Sequence, residues 1–228
     1  MQLTVTTFLS VDGVYQGPGG PDEDRRDGFD RGGWLVPYFD EATGQFMDEV
    51  FREVDAFLLG RRTYEIFAAS WPNATDPNDR VAKSLNTLPK YVASTTLEDP
   101  QWANSTVLKG DLVSAVQELK ERDGRELQVH GSGKLARFLL ANDLVDRLNL
   151  LVFPVIVGAG RRFFPDQGSA TGLALDESRT TPSGVTVSVY RPTGRPEFGT
   201  AEVTWTLQGG ERPAVRSRES PGRRQGRS

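Results

Sequence analysis

The run Ala56-Phe57-Leu58-Leu59 constrains this chain more than any other feature. Four consecutive apolar residues suit a short strand, and a strand with no polar face has to be covered on both sides. Ahead of the run, Ala42, Phe46, Met47, Val50, Phe51 and Val54 lie at helical spacing. Behind it, after Gly60-Arg61-Arg62-Thr63, the positions Tyr64, Phe67, Ala68 and Trp71 trace a second helical stripe that Pro72 ends. Helix, interior strand and helix in immediate succession are the signature of a sheet sandwiched between helical layers.

The remaining segments extend the pattern. Leu3, Val5, Leu9 and Val11 fall on alternate positions, as in a strand with one apolar face that Asp12-Gly13 ends. Tyr91-Val92-Ala93 and Thr106-Val107-Leu108 are further short strands, and Asp111 caps a helix with Leu112, Ala115, Val116 and Leu119 on one face and Gly124 as its stop. Leu127 to His130 forms a strand, Gly131-Ser132-Gly133 turns it, and Leu135, Phe138 and Leu139 continue as a helix to Asn142. Leu148 to Val157 is a long apolar strand with an irregularity expected at Pro154. Leu173 to Ser178 and Val185 to Tyr190 form a hairpin across Thr181-Pro182-Ser183-Gly184. The expected fold is α/β: a three-layer α/β/α sandwich with four helices and a mixed, mostly parallel sheet of about eight strands, closed by a C-terminal antiparallel hairpin.

Composition removes several chemistries. Cys is absent and His130 is the single histidine, so disulfides, thiol nucleophiles and Cys/His metal sites are excluded and no metal is expected. The net charge of −4 gives no global attraction to nucleic acid or to a membrane surface. Residues 211–228 hold six Arg against two Glu, with Pro and Gly between them, and are expected to be a solvated, disordered tail. Nothing in the opening residues resembles a leader and no apolar run reaches membrane-spanning length, which suits a cytoplasmic protein. Residues 16–37 hold six Gly, three Pro and a dense charge cluster, too polar and broken to pack; such a loop is either a lid beside a site or a solvated excursion.

Two strand-to-helix turns carry the chemistry. Gly60-Arg61-Arg62-Thr63 sets a glycine, two guanidinium groups and a hydroxyl at a helix start, where backbone N–H groups and the helix dipole favour phosphate. Gly131-Ser132-Gly133-Lys134 does likewise, and a dinucleotide pyrophosphate spans two such turns. Gly131-x-Gly133-x-x-Ala136 lacks the acidic residue about 20 positions on that a Rossmann fingerprint requires, and neither turn has Walker A spacing.

Five segments together, Ser10-Val11-Asp12-Gly13, Leu59 to Glu65, Ala93-Ser94-Thr95, Val129 to Leu135 and Pro154 to Gly160, make the chain similar to the dihydrofolate reductase-like family that includes the riboflavin biosynthesis reductase (RibD C-terminal) domain. The resemblance spans about residues 2–198. It implies a reductase domain over 1–198 followed by an extension, 199–228, and NADPH as cofactor for hydride transfer to a C=N or C=O bond of a small pterin- or pyrimidine-like substrate. By position it implies that Gly60, Arg61, Arg62 and Thr63 hold cofactor phosphates, and that Ser94 and Thr95 lie near the adenosine 2′-phosphate. Gly131, Ser132, Gly133, Lys134 and Leu135 would line the pyrophosphate, and Thr7 and Phe8 would flank the nicotinamide. The family commonly forms homodimers.

True dihydrofolate reductases carry a substrate carboxylate on the first helix; here that register falls near Gly44, with Asp40, Glu41 and Asp48 only nearby, which speaks against dihydrofolate as the substrate. Asp40 and Asp12 are the candidate proton-handling groups, each with a competing reading as helix cap or turn residue. His130 reads first as a strand-end residue packed under the glycine turn, while Trp34, Tyr38, Phe39 and Trp71 read as anchors able to stack on a flat heterocycle. A catalytically silent module that binds a nucleotide, pterin or flavin is the alternative function.

Overall fold

In chain order the elements are β1 (Gln2–Ser10), α1 (Glu41–Glu53), β2 (Val54–Gly60), α2 (Arg61–Ser70), α3 (Arg80–Thr87), β3 (Lys90–Ala93), β4 (Ser105–Leu108), α4 (Leu112–Glu121), β5 (Glu126–His130), α5 (Gly133–Ala141), β6 (Arg147–Phe153), β7 (Leu173–Thr180), β8 (Thr186–Pro192), β9 (Gly199–Ala201) and β10 (Val215–Ser217). The structure, a computed structural model, describes residues 1–74, 76, 78–201 and 215–217. Eight strands form one sheet in the order β4-β3-β2-β5-β1-β6-β8-β7. Strands β4 to β6 in that order are parallel, and β8 and β7 close the sheet as an antiparallel hairpin.

One face is covered by α1, α2 and α3 through Phe46, Val50, Phe51, Tyr64 and Leu85, packed on Phe57, Leu59, Val92 and Leu151. The other is covered by α4 and α5 through Val116, Leu119, Leu135, Ala136 and Leu139, packed on Leu3, Val5, Leu58 and Val129. The expected three layers are therefore present, and β2 is apolar on both faces because both are roofed.

Local chemistry explains the helix starts. Asp40 Oδ1 accepts from the N–H of Thr43 at 2.8 Å, Asp79 Oδ1 from that of Ala82 at 3.0 Å, and Asp111 Oδ2 from that of Ser114 at 2.8 Å. Each carboxylate satisfies an amide that the first helical turn leaves unpaired.

Several expectations are corrected. The strand β1 is not one-faced: Thr4, Thr6 and Thr7 are as buried as Leu3 and Val5, because β5 and β6 flank the strand and both helical layers cover it. Asn149 Nδ2 donates to Thr6 Oγ1 at 3.0 Å, which lets a hydroxyl sit at the sheet centre. Among the described residues there are five α-helices rather than four; the short α3 was missed despite Asp79 and the apolar positions Val81, Ala82 and Leu85. The strand expected over 148–157 stops at Phe153, where Pro154 removes a donor, and the chain rejoins β1's end through Val11 N–H to Val155 O at 2.8 Å.

The 16–37 loop is packed, contrary to its polarity. Phe29, Trp34 and Leu35 enter the core, organised around Gln16, which is 2% exposed. Gln16 Nε2 donates to the carbonyls of Asp24 and Arg26 at 3.2 and 3.1 Å, its Oε1 accepts from Arg161 N at 3.0 Å, and its carbonyl accepts from Trp34 Nε1 at 2.8 Å. One buried glutamine, through its side-chain amide and its main-chain carbonyl, thus satisfies polar groups of four other residues. In the tail, Val215–Ser217 pairs antiparallel with β9, so these three residues are not the solvated coil expected; the rest of 211–228 lies outside the described residues.

Candidate functional site

The carboxyl ends of β2 and β5 are adjacent in the sheet, and each runs directly into a helix, α2 or α5. Their turns are bonded to each other. Gly60 N–H donates to Ser132 Oγ at 3.1 Å, and Ser132 N–H donates to Thr63 Oγ1 at 3.1 Å. Ser132 spends its hydroxyl on Gly60, so α5 has no side-chain cap, and neither has α2. These two starts differ from those of α1, α3 and α4, whose amides are covered by Asp carboxylates. Side by side and uncapped, the first-turn amides of Arg61 to Thr63 and of Gly133 to Leu135 offer their partial positive charge to an anion. Gly131 at φ 60° and Ser132 at φ 50° both adopt the left-handed region, a conformation that a side-chain-bearing residue holds only under constraint; the reciprocal bonds supply it.

Basic side chains ring the two turns. Arg61 bonds Glu65 at 3.2 Å and donates through Nη1 to Thr96 Oγ1 at 2.6 Å, which draws it toward the segment after β3. Ser94 shapes that segment, its Oγ accepting from Thr96 N and Leu97 N at 3.2 and 2.9 Å, and Thr95 is exposed beside it. Arg61, which the resemblance assigns to the cofactor phosphates, is therefore brought beside Ser94 and Thr95, which it assigns to the adenosine 2′-phosphate, with Thr96 as a partner that sequence reasoning missed. Arg62 pairs more loosely with Glu65 at 3.4 Å, and Lys134 is exposed. The 16–37 loop borders α2. Burial opposes ionisation of Asp24, but the hydrogen bonds and charge of Arg26, joined by the nearby charge of Arg62, hold its carboxyl below the usual range.

The missing side chain of Gly133 has a packing cause. A Cβ at this position would lie 2.5 Å from Tyr15 Cζ, so the missing side chain makes room for the Tyr15 ring rather than for a pyrophosphate. Tyr15 in turn packs edge-on against Phe163, with ring centroids 6.1 Å apart. A Cβ on Gly131 would stand 3.8 Å from Thr63 Cγ2, an ordinary contact, so its requirement for glycine comes from φ. Leu135 is a core residue of the α5 layer.

Thr7 and Phe8 point to opposite faces of β1, as strand geometry demands. Thr7 is 1% exposed and its Oγ1 has no partner among the described residues. Phe8 is half-buried on the α1 side, where its ring meets those of His130 at 5.3 Å, Phe153 at 5.7 Å and Phe39 at 6.5 Å. His130 closes β5 and also meets Phe51 at 5.9 Å and Phe67 at 6.0 Å. Burial pushes its imidazole down to about 4, so the ring is neutral near pH 7.

The two candidate proton-handling carboxylates are both committed. Asp12 accepts from Ser10 Oγ at 2.7 Å, Val157 N at 3.0 Å and Gly158 N at 2.9 Å, strapping the end of β1 to the segment after β6. Burial works against the charge, but these bonds outweigh it and hold the carboxyl at about 2. Asp40 caps α1 and accepts from Thr43 Oγ1 at 2.7 Å and Ser183 N at 2.9 Å. Against the opposing effect of desolvation, those donors hold it far below the ordinary carboxylate range. Neither carries a proton near neutrality. Two concavities adjoin the site. One of about 690 Å³ lies between α2 and the segment 97–103, and another of about 590 Å³ lies at the start of α1 against Phe39, Gly44, Met47 and Val81.

The RibD C-terminal domain family model matches residues 1–187. YyaP, an uncharacterized protein of Bacillus subtilis (strain 168), is 27% identical over 196 residues, which cover 85% of this chain and 96% of that protein. The crystal structure of a "putative riboflavin biosynthesis protein" from Shewanella sp. PV-4 superposes with a TM-score of 0.65 at 22% identity, covering 85% of this chain and 99% of that one. A pyrimidine reductase-like protein from Corynebacterium diphtheriae superposes with a TM-score of 0.57 at 16% identity, covering 84% and 91%. Both structural likenesses are likenesses of fold.

Proposed function

The chain belongs to the RibD C-terminal domain family, and on that premise we propose that it is an NADPH-dependent reductase acting on a C=N or C=O bond of a small pterin- or pyrimidine-like molecule. The observation that carries the reading is the pair of uncapped helix starts locked together through Ser132, Gly60 and Thr63, with Arg61, Arg62 and Lys134 around them. Such a pair suits two linked phosphates, and Arg61 beside Ser94 and Thr95 suits a third, which favours NADPH over NADH. When bound, NADPH supplies the hydride. The chain's contribution is to hold its phosphates, to roof the reacting bond with Phe8 and neighbouring rings, and to admit water as the proton source, since Asp12 and Asp40 are ionised and engaged. The same reading makes the protein a cytoplasmic homodimer; no helix among the described residues is long and apolar enough to cross a membrane.

Steady-state loss of NADPH absorbance, measured against a panel of pterins, aminopyrimidines and small carbonyl compounds, tests the proposal. Turnover of at least one compound with preference for NADPH is the expected result. The engagement of both carboxylates favours one other reading, a binding module without turnover. NADPH binding with no oxidation by any member of the panel would establish that reading instead.

A further inference from the structure

The place that Gly133 leaves open is taken by the hydroxyl end of Tyr15. In a helix the Cα–Cβ bond leans toward the N-terminus, so a Cβ on Gly133 would mark the side of α5 on which its unpaired amides lie. The ring atoms nearest that place are Cζ, Cε2 and Cε1, at 2.5, 2.7 and 2.9 Å, and the hydroxyl oxygen is one C–O bond beyond Cζ. Nothing among the described residues bonds this hydroxyl, and it is not enclosed, so it is reachable from solvent.

Three segments fix the ring where it stands. Tyr15 N–H donates to Arg161 O at 3.0 Å and Phe163 N–H to Gly13 O at 2.8 Å, so the turn after β1 is paired with residues 161–163. Arg137 Nη1, on α5, donates to the carbonyls of Arg162 and Phe163 at 3.3 and 3.2 Å, which ties the same residues to the helix. Phe163 backs the ring edge-on. A phenylalanine would satisfy every one of these contacts, so packing accounts for the ring and leaves the hydroxyl unexplained. The surroundings admit an anion. Asp24 and Asp27 of the adjoining loop are paired with Arg26 and Arg161, while Lys134, next to Gly133, is in no ion pair among the described residues. Thr7, on the α5 face of β1 beside Gly131, brings a second polar atom without a partner among the described residues to the same turn.

We propose that Tyr15 is a cofactor-binding residue, its hydroxyl donating to the phosphate oxygen that the first-turn amides of α5 hold. The inference rests on the proposed function for the presence of a dinucleotide at the two turns. Because the ring and its backbone are already fixed, the hydroxyl makes this bond at little cost in ordering. The diphosphate is common to NADPH and NADH, so Tyr15 sets the affinity for both and leaves the choice between them to the groups around the 2′-phosphate.

The variant Tyr15→Phe keeps the ring against Gly133 and Phe163 and removes only the hydroxyl. NADPH and NADH are titrated by fluorescence, and ADP, a diphosphate without nicotinamide, by calorimetry, beside thermal unfolding of the ligand-free chain. All three ligands are expected to bind Tyr15→Phe about tenfold more weakly, the scale of one charge-assisted hydrogen bond, with an unchanged melting temperature. Equal affinity of parent and variant for NADPH and ADP overturns the proposal and leaves the reductase reading standing. A loss confined to NADPH overturns it too, since the hydroxyl would then serve the 2′-phosphate. So does a melting temperature that falls together with the affinity, which would make the hydroxyl a structural group. A parent that binds ADP through Tyr15 but not NADPH would uphold the contact with diphosphate and refute the reductase reading alone. A parent that binds neither overturns both.

Discussion

Ser132 gives its main-chain N–H to Thr63 Oγ1 at 3.1 Å while holding a left-handed φ of 50°, so a strained residue of one turn is anchored by a side chain of the other. The two helix starts are therefore tied to each other, and on the proposed reading phosphate binding at one should depend on the other. Thr63→Val keeps the shape of the side chain and removes the acceptor. It should cost about 1–3 kcal/mol of stability, the range for a stranded donor, and weaken NADPH several-fold. Chemical denaturation beside cofactor titration checks both, and unchanged NADPH affinity in a destabilised variant would separate the clamp from binding.

Cofactor preference should reside in Arg61 more than in Arg62. Arg61 is fixed by Glu65 and Thr96 beside Ser94 and Thr95, whereas among the described residues Arg62 has only its 3.4 Å pair with Glu65. A pre-oriented guanidinium loses less freedom when it meets a phosphate. Arg61→Ala should raise the NADPH dissociation constant by about tenfold to a hundredfold and leave NADH nearly unchanged, with a smaller and less selective effect for Arg62→Ala. Fluorescence titration of both cofactors decides it, and an equal loss for NADH and NADPH would remove the 2′-phosphate assignment.

The sheet was largely legible because its strands carry short-range signals: the unbroken run Ala56 to Leu59 and the alternation of Val185, Val187 and Val189 depend on nothing distant. The second face of β1 was not legible. Thr4 and Thr6 look solvent-facing by type, and only pairing with β5 and β6, with Asn149 supplying a donor to Thr6, makes their burial tolerable. The same holds for the 16–37 loop, where Gln16 collects partners as far away as Arg161. In the site, the glycines and basic residues of the two turns were readable as a phosphate-binding pattern. That Tyr15 fills the space at Gly133, and that Thr96 holds Arg61, follow from contacts between segments far apart in the chain, which no local pattern encodes.

Gly133 should behave as half of a packing pair. Alanine here would set its Cβ 2.5 Å from the Tyr15 ring, so either the ring or the start of α5 has to shift. Overpacking of this kind costs about 1–3 kcal/mol. Tyr15→Ala alone leaves a void beside Phe163, and the double variant should lose less than the sum of the single losses. A double-mutant cycle on unfolding free energy reads the coupling directly, and strict additivity would show that the two residues do not meet.

Two buried groups should oppose each other in the pH dependence of stability. Glu126, 6% exposed at the start of β5, is driven by burial to a pKa of about 7 from 4.5. The folded state therefore holds its proton more tightly than the unfolded chain, and this contribution is complete below 4.5 and fades as pH rises through 7. His130 runs the other way. Its folded value of about 4 lies below the ordinary 6.5, so its contribution is complete above 6.5 and is lost as pH falls through 4. Each shift corresponds to about 3 kcal/mol over its window, and in the parent the two largely cancel. Replacing Glu126 by Gln should unmask His130, so that stability climbs with pH between 4 and 6.5. Replacing His130 by Leu should leave the Glu126 slope, with stability falling between 4.5 and 7. Denaturant unfolding of parent and both variants at several pH values across that range measures the slopes. If both variants keep the parent's slope, neither group titrates differently in the folded chain, and burial would not be setting the charge of either.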